Sequence, residues 1–335
     1  MGFNYVKSLL IDPSMNHYLV DSDFRTVAQG WARADQTGPL DLWSQRNPGY
    51  VYRTGDYTTD VACWNAARDA MVDYRGDTLY LTPGAYSLAA TTWDVFQATI
   101  TGRAYNSPAR GCSRQIRNTT ITTTGATGIT LGADADGLEV SYLRFVPLTA
   151  GVNFLVNAAA PYLHFHDFMW DNDGITADVL TNFLQTTTTA QAISFSCFDH
   201  FVWFIDAPQG PVFNLDVAGQ AIEIANFQNF VTDTAGTYIT SLLDMTGVDA
   251  HDGYDVHDGF GVLSNGGGAG AVTELILSST AQTGAPLGNV SRFVGSVGYS
   301  TATGLINEQA SGDWDIAESF IGVVPGGTHP SHYTS

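Results

Sequence analysis

The chain contains very little of the two charged residues that dominate helix surfaces. Its 335 residues include a single lysine, Lys7, and five glutamates. Lysine and glutamate are strong helix formers, so their scarcity argues against a mainly helical protein. The abundant polar and small residues are instead 37 threonines, 35 glycines and 28 aspartates, which favour strands and turns. The composition therefore predicts an all-β protein.

Cysteine and long apolar segments are also scarce. The three cysteines, Cys63, Cys112 and Cys197, are widely spaced and form no Cys-x-x-Cys pair. This argues against a disulfide framework or a zinc knuckle and fits folding in a reducing compartment. No apolar run approaches the roughly 18 residues that a membrane-spanning helix needs. The N-terminal residues also lack the pattern of a signal peptide. We expect neither a membrane span nor a signal peptide.

Positively charged residues are also scarce. Lysine and arginine total 13 against 33 aspartates and glutamates, which gives a net charge of −20 at pH 7. Nucleic-acid phosphates and anionic membranes would repel such a chain, so we expect neither as a partner. Phosphate-binding loops, zinc-protease motifs and serine-hydrolase motifs are absent from the sequence, which leaves phosphoryl transfer and the usual serine hydrolysis without support.

The first 56 residues differ from the rest of the chain. They are irregular in pattern, interrupted by prolines and rich in aromatic residues, among them Trp31 and Trp43. This composition predicts an N-terminal arm or anchor that packs on another surface.

A helix and two strands are predicted next. Residues 60–74 predict a helix with Asp60 as its N-cap, because small and apolar residues recur at helical spacing. Residues 76–88 predict a strand, a turn at Pro83–Gly84 and a second strand. The residues on one face of the helix are Cys63, Ala67, Ala70 and Met71.

Beyond residue 120 one apolar pattern recurs. Two apolar residues alternate, and a third follows after a two-residue corner. This pattern suits the coil of a solenoid, in which each apolar side chain stacks on the next coil. The five copies are Leu138-x-Val140-x-x-Leu143, Leu163-x-Phe165-x-x-Phe168, Ile193-x-Phe195-x-x-Phe198, Ile222-x-Ile224-x-x-Phe227 and Leu243-x-Met245-x-x-Val248.

Together these features resemble a known family. A helix followed by Gly-Asp-Thr-Leu-Tyr-Leu-Thr-Pro-Gly-Ala-Tyr-Ser-Leu at 76–88 resembles the start of pectate-lyase-like right-handed parallel β-helices. Residues 98–116 and 136–145 resemble the next coils of that family. The resemblance implies an all-β fold class, a right-handed parallel β-helix with a short capping helix.

The resemblance also implies a domain organisation. The N-terminal arm would end at residue 56, the parallel β-helix would span 57–303, and 304–335 would form a C-terminal tip or a trimer clasp. The family includes lyases, hydrolases, bacteriophage tailspikes and virion spike proteins, many of them trimeric. The arginine and lysine constellation of its pectate lyases is not evident in this sequence, and the polygalacturonase pattern of Asn-x-Asp, Asp-Asp and Gly-His-Gly is not met in order.

Outward-facing acids are the candidate catalytic groups. If Leu163 and Phe165 face the core, then His164 and His166 face outward, with acids past the corner. Paired carboxylates about 5–9.5 Å apart are the catalytic groups of glycosidases. The candidate acid and base residues are Asp171, Asp173, Asp199 and His200, with Trp170 and Trp203 as sugar-stacking platforms. The alternative is a solvated or trimer-facing polar surface.

A second polar cluster repeats Asp-x-His-Asp-Gly at a six-residue period. It would bind Ca²⁺ if the aspartates dominate, or a transition metal through its histidines. The alternative is a glycine-rich loop between coils. We expect no other cofactor. The six candidate ligands are Asp249, His251, Asp252, Asp255, His257 and Asp258.

A cluster of positive charge is the candidate interface. Four of the twelve arginines lie within fifteen residues, and they could contact an acidic neighbour such as a second copy of the chain or local aspartates. These are Arg103, Arg110, Arg114 and Arg117, to which we add the aromatic anchors Trp31 and Trp43.

These features favour a structural virion protein of a tailed bacteriophage, folded in the host cytoplasm and displayed on the particle exterior. It would form a homotrimer that decorates the head or stands as a spike, in contact with capsid or tail proteins. One alternative is a tailspike depolymerase that hydrolyses a host surface glycan. Another is a tail protein that binds such a glycan without cleaving it.

Overall fold

The structure is a computed structural model of the chain. It describes the backbone and side chains over much of the middle of the sequence, and the backbone pairing of further strands on either side. The described residues are 57–74, 76–81, 84–102, 119–149, 151–171, 181–186, 193–205, 210–215, 220–225, 227–231 and 242–244, with strands at 17–21, 51–53, 252–262, 276–278, 291–299, 304–308, 314–316, 320–323 and 331–334.

Two strands and one helix precede the first coil. Strands β1 (His17–Asp21) and β2 (Val51–Arg53) pair in parallel, and β1 also pairs with the first strand of the coils. Helix α1 (Asp60–Asp69) follows them. The predicted N-terminal arm therefore supplies two strands that extend the sheet.

Helix α1 begins at residue 60, as predicted, but its N-cap lies one residue earlier than expected. Its N-cap is Thr59, whose hydroxyl accepts a hydrogen bond from the Ala62 N–H at 3.1 Å. The predicted N-cap, Asp60, lies in the first turn and accepts from the Ser87 N–H at 2.7 Å, which ties the helix to the first coil. The helix ends at Asp69, with Ala70 as its C-cap, five residues before the predicted end at residue 74.

The rest of the described chain is built from nine successive coils. The first five each contain three short strands. They are β3 (Thr78–Leu81), β4 (Gly84–Ser87) and β5 (Thr91–Trp93); β6 (Thr99–Thr101), β7 (Thr119–Thr123) and β8 (Thr127–Leu131); β9 (Glu139–Ser141), β10 (Arg144–Pro147) and β11 (Asn153–Asn157); β12 (His164–His166), β13 (Met169–Asp171) and β14 (Asn182–Thr186); and β15 (Cys197–Asp199), β16 (Val202–Ile205) and β17 (Phe213–Asn214).

The last four coils continue the same order. In the seventh and eighth coils one long strand replaces the first two short ones. The strands are β18 (Gln220–Ala225), β19 (Gln228–Val231) and β20 (Leu243–Asp244); β21 (Asp252–Val262) and β22 (Ile276–Ser278); β23 (Ser291–Tyr299) and β24 (Gly304–Glu308); and β25 (Trp314–Ile316), β26 (Phe320–Val323) and β27 (Ser331–Thr334).

Every described strand pairing is parallel, and each strand pairs with its counterpart in the next coil. The coils therefore form three parallel faces. The first face begins at β3, the second at β4 and the third at β5. Strands β21 and β23 run through the corner and join the first two faces. This arrangement confirms the predicted β-solenoid, a parallel β-helix, with one short helix before it. The pairing continues through β24 to β27, past the predicted boundary at residue 304.

A single left-handed residue makes the corner between the first and second faces. Tyr142, Asp167 and His200 occupy this position in three successive coils, with φ of 57°, 52° and 51°. Left-handed backbone costs a non-glycine residue about 1–2 kcal/mol, so surrounding contacts hold each corner in place. The corner residue explains the predicted pattern. It shifts the alternation of side chains, so the first inward residue of the second face follows three positions after the last inward residue of the first face.

Stacked apolar side chains fill the interior of the coils. On the first face one inward residue per coil lies in register with the next, and all of them are buried. Aromatic rings stack at the corner as well: the Phe168 and Phe201 rings lie 4.9 Å apart, and the Phe201 and Phe227 rings 5.7 Å apart. Full burial of each such side chain contributes about 1.5–3 kcal/mol. The ladder on the first face is Leu79, Ile100, Val140, Phe165, Phe198 and Ile224.

Two of the five predicted pattern copies are misaligned. In the third copy, Phe198 rather than Phe195 lies opposite Phe165. The matching first position is Ser196, a buried serine whose hydroxyl accepts from the Leu163 N–H at 3.0 Å. A hydrogen-bonded serine at an inward position hid the true register.

The fifth predicted copy does not lie on the first face with the others. Leu243 lies on the third face, where it pairs with Phe213 and Ile276. The residue that continues the first-face ladder after Ile224 is Val256, which belongs to β21.

Candidate functional site

The outer side of the first face carries two rows of aligned residues across four coils, and all of them except Ala225 are polar. The backbone register creates these rows, because residues two apart in a strand point to the same side and neighbouring strands align. The prediction that His164 and His166 face outward is confirmed, since Phe165 between them is buried. The first row is Glu139, His164, Cys197 and Glu223, and the second is Ser141, His166, Asp199 and Ala225.

His166 joins the third and fourth coils through an ion pair. Its Nε2 lies 3.1 Å from Glu139 Oε1, and its Nδ1 lies 3.0 Å from Asp167 Oδ2. Hydrogen bonds to Asp167 and Glu139 raise the pKa of His166 to about 9, against the opposing effect of burial. The same hydrogen bond to His166 lowers the pKa of Glu139. At neutral pH the pair is therefore an imidazolium and a carboxylate.

Asp199 is shared by two histidines. Its Oδ1 lies 3.3 Å from His164 Nε2 in the preceding coil, and its Oδ2 lies 2.8 Å from His200 Nδ1. The sequence placed Asp199 one coil after the two histidines, and the structure aligns it directly with His166.

Cys197 lies between His164 and Glu223 in the first row. Its thiol lies 3.5 Å from Glu223 Oε2. Burial, followed by the charges of Glu223 and Asp199, raises the pKa of Cys197 to about 12. The raised pKa keeps the Cys197 thiol protonated at neutral pH in the absence of a metal ion.

The structure describes three of the four candidate acid and base residues, and it places Asp171 and Asp199 on different faces. Asp171 belongs to the second face and Asp199 to the first. The prediction that Asp171 faces solvent is wrong: it is 3% exposed, and its Oδ2 accepts hydrogen bonds from Arg144 Nη2 at 2.6 Å and Nε at 2.9 Å. A carboxylate held in this way is a structural ion-pair partner. Asp173 lies outside the described residues.

The predicted sugar-stacking platforms are also wrong. Trp170 and Trp203 are fully buried and lie in register with each other on the second face. They are inward ladder residues, because position 170 pairs with the buried Phe145 of the preceding coil. The exposed aromatic pair in the described chain is instead Tyr162 and Phe195, whose rings stack 5.2 Å apart at 11°.

The predicted loop over the histidine–aspartate repeat is a strand. Residues Asp252–Val262 form β21, so the loop alternative is wrong for them. Asp255 lies opposite Glu223 and Arg292, and His257 lies opposite Ala225 and Val294. The remaining candidate metal ligands in β21 are Asp252 and Asp258, and the metal prediction stays a prediction.

Several predicted site residues fall outside the described part of the chain. They are the interface candidates Arg103, Arg110, Arg114, Arg117, Trp31 and Trp43, and the metal candidates Asp249 and His251.

Sequence reasoning missed the contribution of Glu139, Cys197 and Glu223. They lie in the third, fifth and sixth coils, at least 26 residues apart in sequence, and only the strand register brings them together. Alignment of Phe198 with Phe165 would have placed Cys197 beside His164. The apolar pattern contained the information needed to predict this contact, but the misalignment of its third copy concealed it.

The fold and the site define a parallel β-helix whose outer ionisable groups connect neighbouring coils. No protein-family model matches the chain, and no curated protein is similar to it. Among solved structures, a chain described as "Geobacillus virus E2 - ORF18" is similar over 92% of this chain and 74% of that one, with 10% identity and a TM-score of 0.38. The parallel pairing of successive strands establishes the fold of this chain. Among the described residues the structure contains no helix with the length and apolar character of a membrane span.

Proposed function

We propose that the protein is a structural component of a tailed-bacteriophage particle, displayed on the exterior as a homotrimeric head-decoration or spike protein. The parallel β-helix supports this proposal, together with the resemblance of residues 76–88 to a family that includes tailspikes and virion spikes. A net charge of −20 would also keep an abundant exterior protein soluble.

The contacts of the outer ionisable side chains support a structural rather than a catalytic role in this proposal. Two ion pairs and one histidine–aspartate hydrogen bond each join residues of neighbouring coils, and so act as cross-links along the solenoid axis. A catalytic acid or base must lie within hydrogen-bond reach of a substrate atom, whereas these groups contact each other. The pairs are Glu139 with His166, His164 with Asp199, and Arg144 with Asp171.

Three copies of a solenoid with flat faces can cover those faces against each other. A closed trimer protects sheet surfaces that would otherwise pair with other chains. The N-terminal residues, with Trp31 and Trp43, would supply the aromatic anchors to a capsid or tail surface, and Arg103, Arg110, Arg114 and Arg117 would contact acidic neighbours.

Antibody labelling of intact particles under the electron microscope tests the proposed location. Antibodies raised against the folded protein should bind the outside of untreated particles. Labelling that appears only after the particles are disrupted would contradict an exterior position. A second antibody, against the major capsid protein of the same particles, controls for surface access.

The exposed Tyr162 and Phe195 favour one second candidate, a tail protein that binds a host surface glycan. Exposed aromatic faces are common in sugar sites, and such residues are also frequent anchors of protein contacts. Binding to capsular or lipopolysaccharide fragments that is lost on Tyr162→Ala would support this candidate.

Release of reducing sugar ends by the wild-type protein would instead establish the depolymerase, for which Asp173→Asn is the variant to assay.

A further inference from the structure

Three metal-ligating atoms converge on the outer side of the fourth and fifth coils. His164 and Cys197 lie directly opposite each other on β12 and β15, and Asp199 lies two residues after Cys197 on the same side. The His164 ring nitrogen, the Cys197 sulfur and a carboxylate oxygen of Asp199 all lie within 4.8 Å of one another. Two paired strands hold all three, so the backbone fixes their spacing.

The geometry of the cluster suits a tetrahedral ion. Ligand atoms about 2.0–2.1 Å from a tetrahedral Zn²⁺ lie about 3.3 Å from each other. His164 Nε2 and Asp199 Oδ1 are 3.3 Å apart. Small rotations of the Cys197 side chain would complete the three-ligand set.

The chemistry of the donors selects the class of metal. Imidazole and thiolate are ligands of Zn²⁺ and related transition metals, whereas Ca²⁺ and Mg²⁺ prefer sites made of oxygen atoms. Glu223 Oε2, which lies 3.5 Å from the Cys197 sulfur, is placed to supply a fourth ligand. Metal binding would form the sulfur–metal bond as the thiol proton leaves to solvent.

The surroundings of the cluster support the ligands. Asp199 Oδ2 is hydrogen-bonded to His200 Nδ1 at 2.8 Å, which fixes the carboxylate while Oδ1 faces His164. His164 is exposed, and Cys197 and Asp199 are partly exposed, so an ion can enter from solvent without opening a coil. Such second contacts are typical of metal sites.

We propose that His164, Cys197 and Asp199, with Glu223 as the adjacent carboxylate, form a binding site for a transition-metal ion of the Zn²⁺ class. The ion would clamp the fourth coil to the fifth. Its ligands lie outside the histidine–aspartate repeat of β21, although Asp255 of that repeat pairs with Glu223, and the site does not depend on the proposed virion role.

Cobalt titration of the full-length protein tests the site. Metal is first removed with a chelator, the thiols are kept reduced with a phosphine, and Co²⁺ is added. We expect one Co²⁺ per chain, with the visible bands of tetrahedral Co²⁺ and a near-ultraviolet sulfur-to-cobalt charge-transfer band, both removed by added Zn²⁺ but not by Ca²⁺. Cys197→Ser should abolish the charge-transfer band, whereas the matched variant Cys112→Ser should retain it.

Thermal unfolding gives a second measurement that does not depend on the absorption bands of Co²⁺. A hundredfold excess of Zn²⁺ over its Kd should raise the Tm of the wild type by about 3–5 °C. Asp199→Asn should lose this rise while keeping the circular dichroism of the folded protein. A wild type without stoichiometric Co²⁺ binding, or a charge-transfer band that survives Cys197→Ser, would overturn the proposal.

Discussion

Phe165 and Phe198 lie directly opposite each other on neighbouring coils, with their rings stacked 5.5 Å apart at 28°. This contact fixes the register of the first face between the fourth and fifth coils. It places Cys197 beside His164 and Asp199 beside His166, and it leaves Phe195 outside the core. One apolar contact therefore determines which polar residues meet on the outer surface.

Substitution of the two phenylalanines should have unequal effects. Phe198→Ala removes a fully buried ring and leaves a cavity, so it should lower the free energy of unfolding by about 3–5 kcal/mol. Phe195→Ala removes a ring that is 51% exposed and should cost less than about 1 kcal/mol. Chemical denaturation of both variants measures the difference. Equal losses would contradict the register.

Gly102 occupies the first corner position in the second coil, where a side chain does not fit. A Cβ there would lie 2.4 Å from the Tyr142 carbonyl oxygen and 2.6 Å from a Leu143 methyl carbon. Gly102→Ala should therefore destabilise the protein by about 1–3 kcal/mol. The matched control is Gly132→Ala, whose Cβ would meet nothing closer than 3.5 Å. Thermal unfolding of the pair should show the larger loss for Gly102→Ala, and the reverse order would contradict the corner packing.

The Arg144–Asp171 pair should be more important for stability than for any activity. Arg144→Gln leaves the buried Asp171 carboxylate without its guanidinium partner, which should cost about 2–4 kcal/mol. The double variant Arg144→Gln/Asp171→Asn removes the buried charge and should recover part of that loss. Urea denaturation of the two variants and the wild type measures the coupling. A double variant less stable than Arg144→Gln would show that the pair does not act as described.

His166 should make the stability of the metal-free protein depend on pH. Its pKa is about 9 in the folded chain, above the value of 6.5 for the free side chain, so the folded state binds the proton more tightly. Its contribution is complete below about pH 6.5, declines as pH rises, and is lost above about pH 9. The groups that face it are Glu139 from the preceding coil, Asp167 at the corner, Asp199 opposite, and the His164 and Tyr142 rings.

Chelated protein unfolded at several pH values checks this prediction. The wild type should lose about 1–3 kcal/mol between pH 6.5 and 9, and His166→Gln should lose less over the same range. Nuclear magnetic resonance of the histidine ring protons gives the pKa directly. A His166 that titrates near 6.5 would contradict the ion pairs with Glu139 and Asp167.

Periodicity in the sequence was sufficient to predict the class of fold but not the alignment of every coil. The pattern at Val140, Phe165 and Ile224 is apolar at each inward position, and its prediction is confirmed. The coil that begins at Ser196 breaks the pattern, because a hydrogen bond rather than an apolar side chain satisfies that inward position.

The candidate site was predicted less well, since it depends on contacts between coils. A sequence does not show that Trp170 and Trp203 align on the inner side of the second face, and their residue type alone suggested sugar binding. The exposure of His164 followed directly from alternation along one strand. The proximity of Cys197 to His164 depends on the register between two strands whose paired residues are 33 positions apart, and this spacing is 25 and 40 positions for the two preceding pairs on the same face.

The measurement that tests the proposed role most directly is the copy number of this protein in purified phage particles, determined by quantitative mass spectrometry against the major capsid protein. A structural trimer predicts a fixed number of copies in a multiple of three, with hundreds for a head-decoration protein and a few for a tail spike. Absence from the particles, while the protein is present in the infected cells, would contradict the virion role.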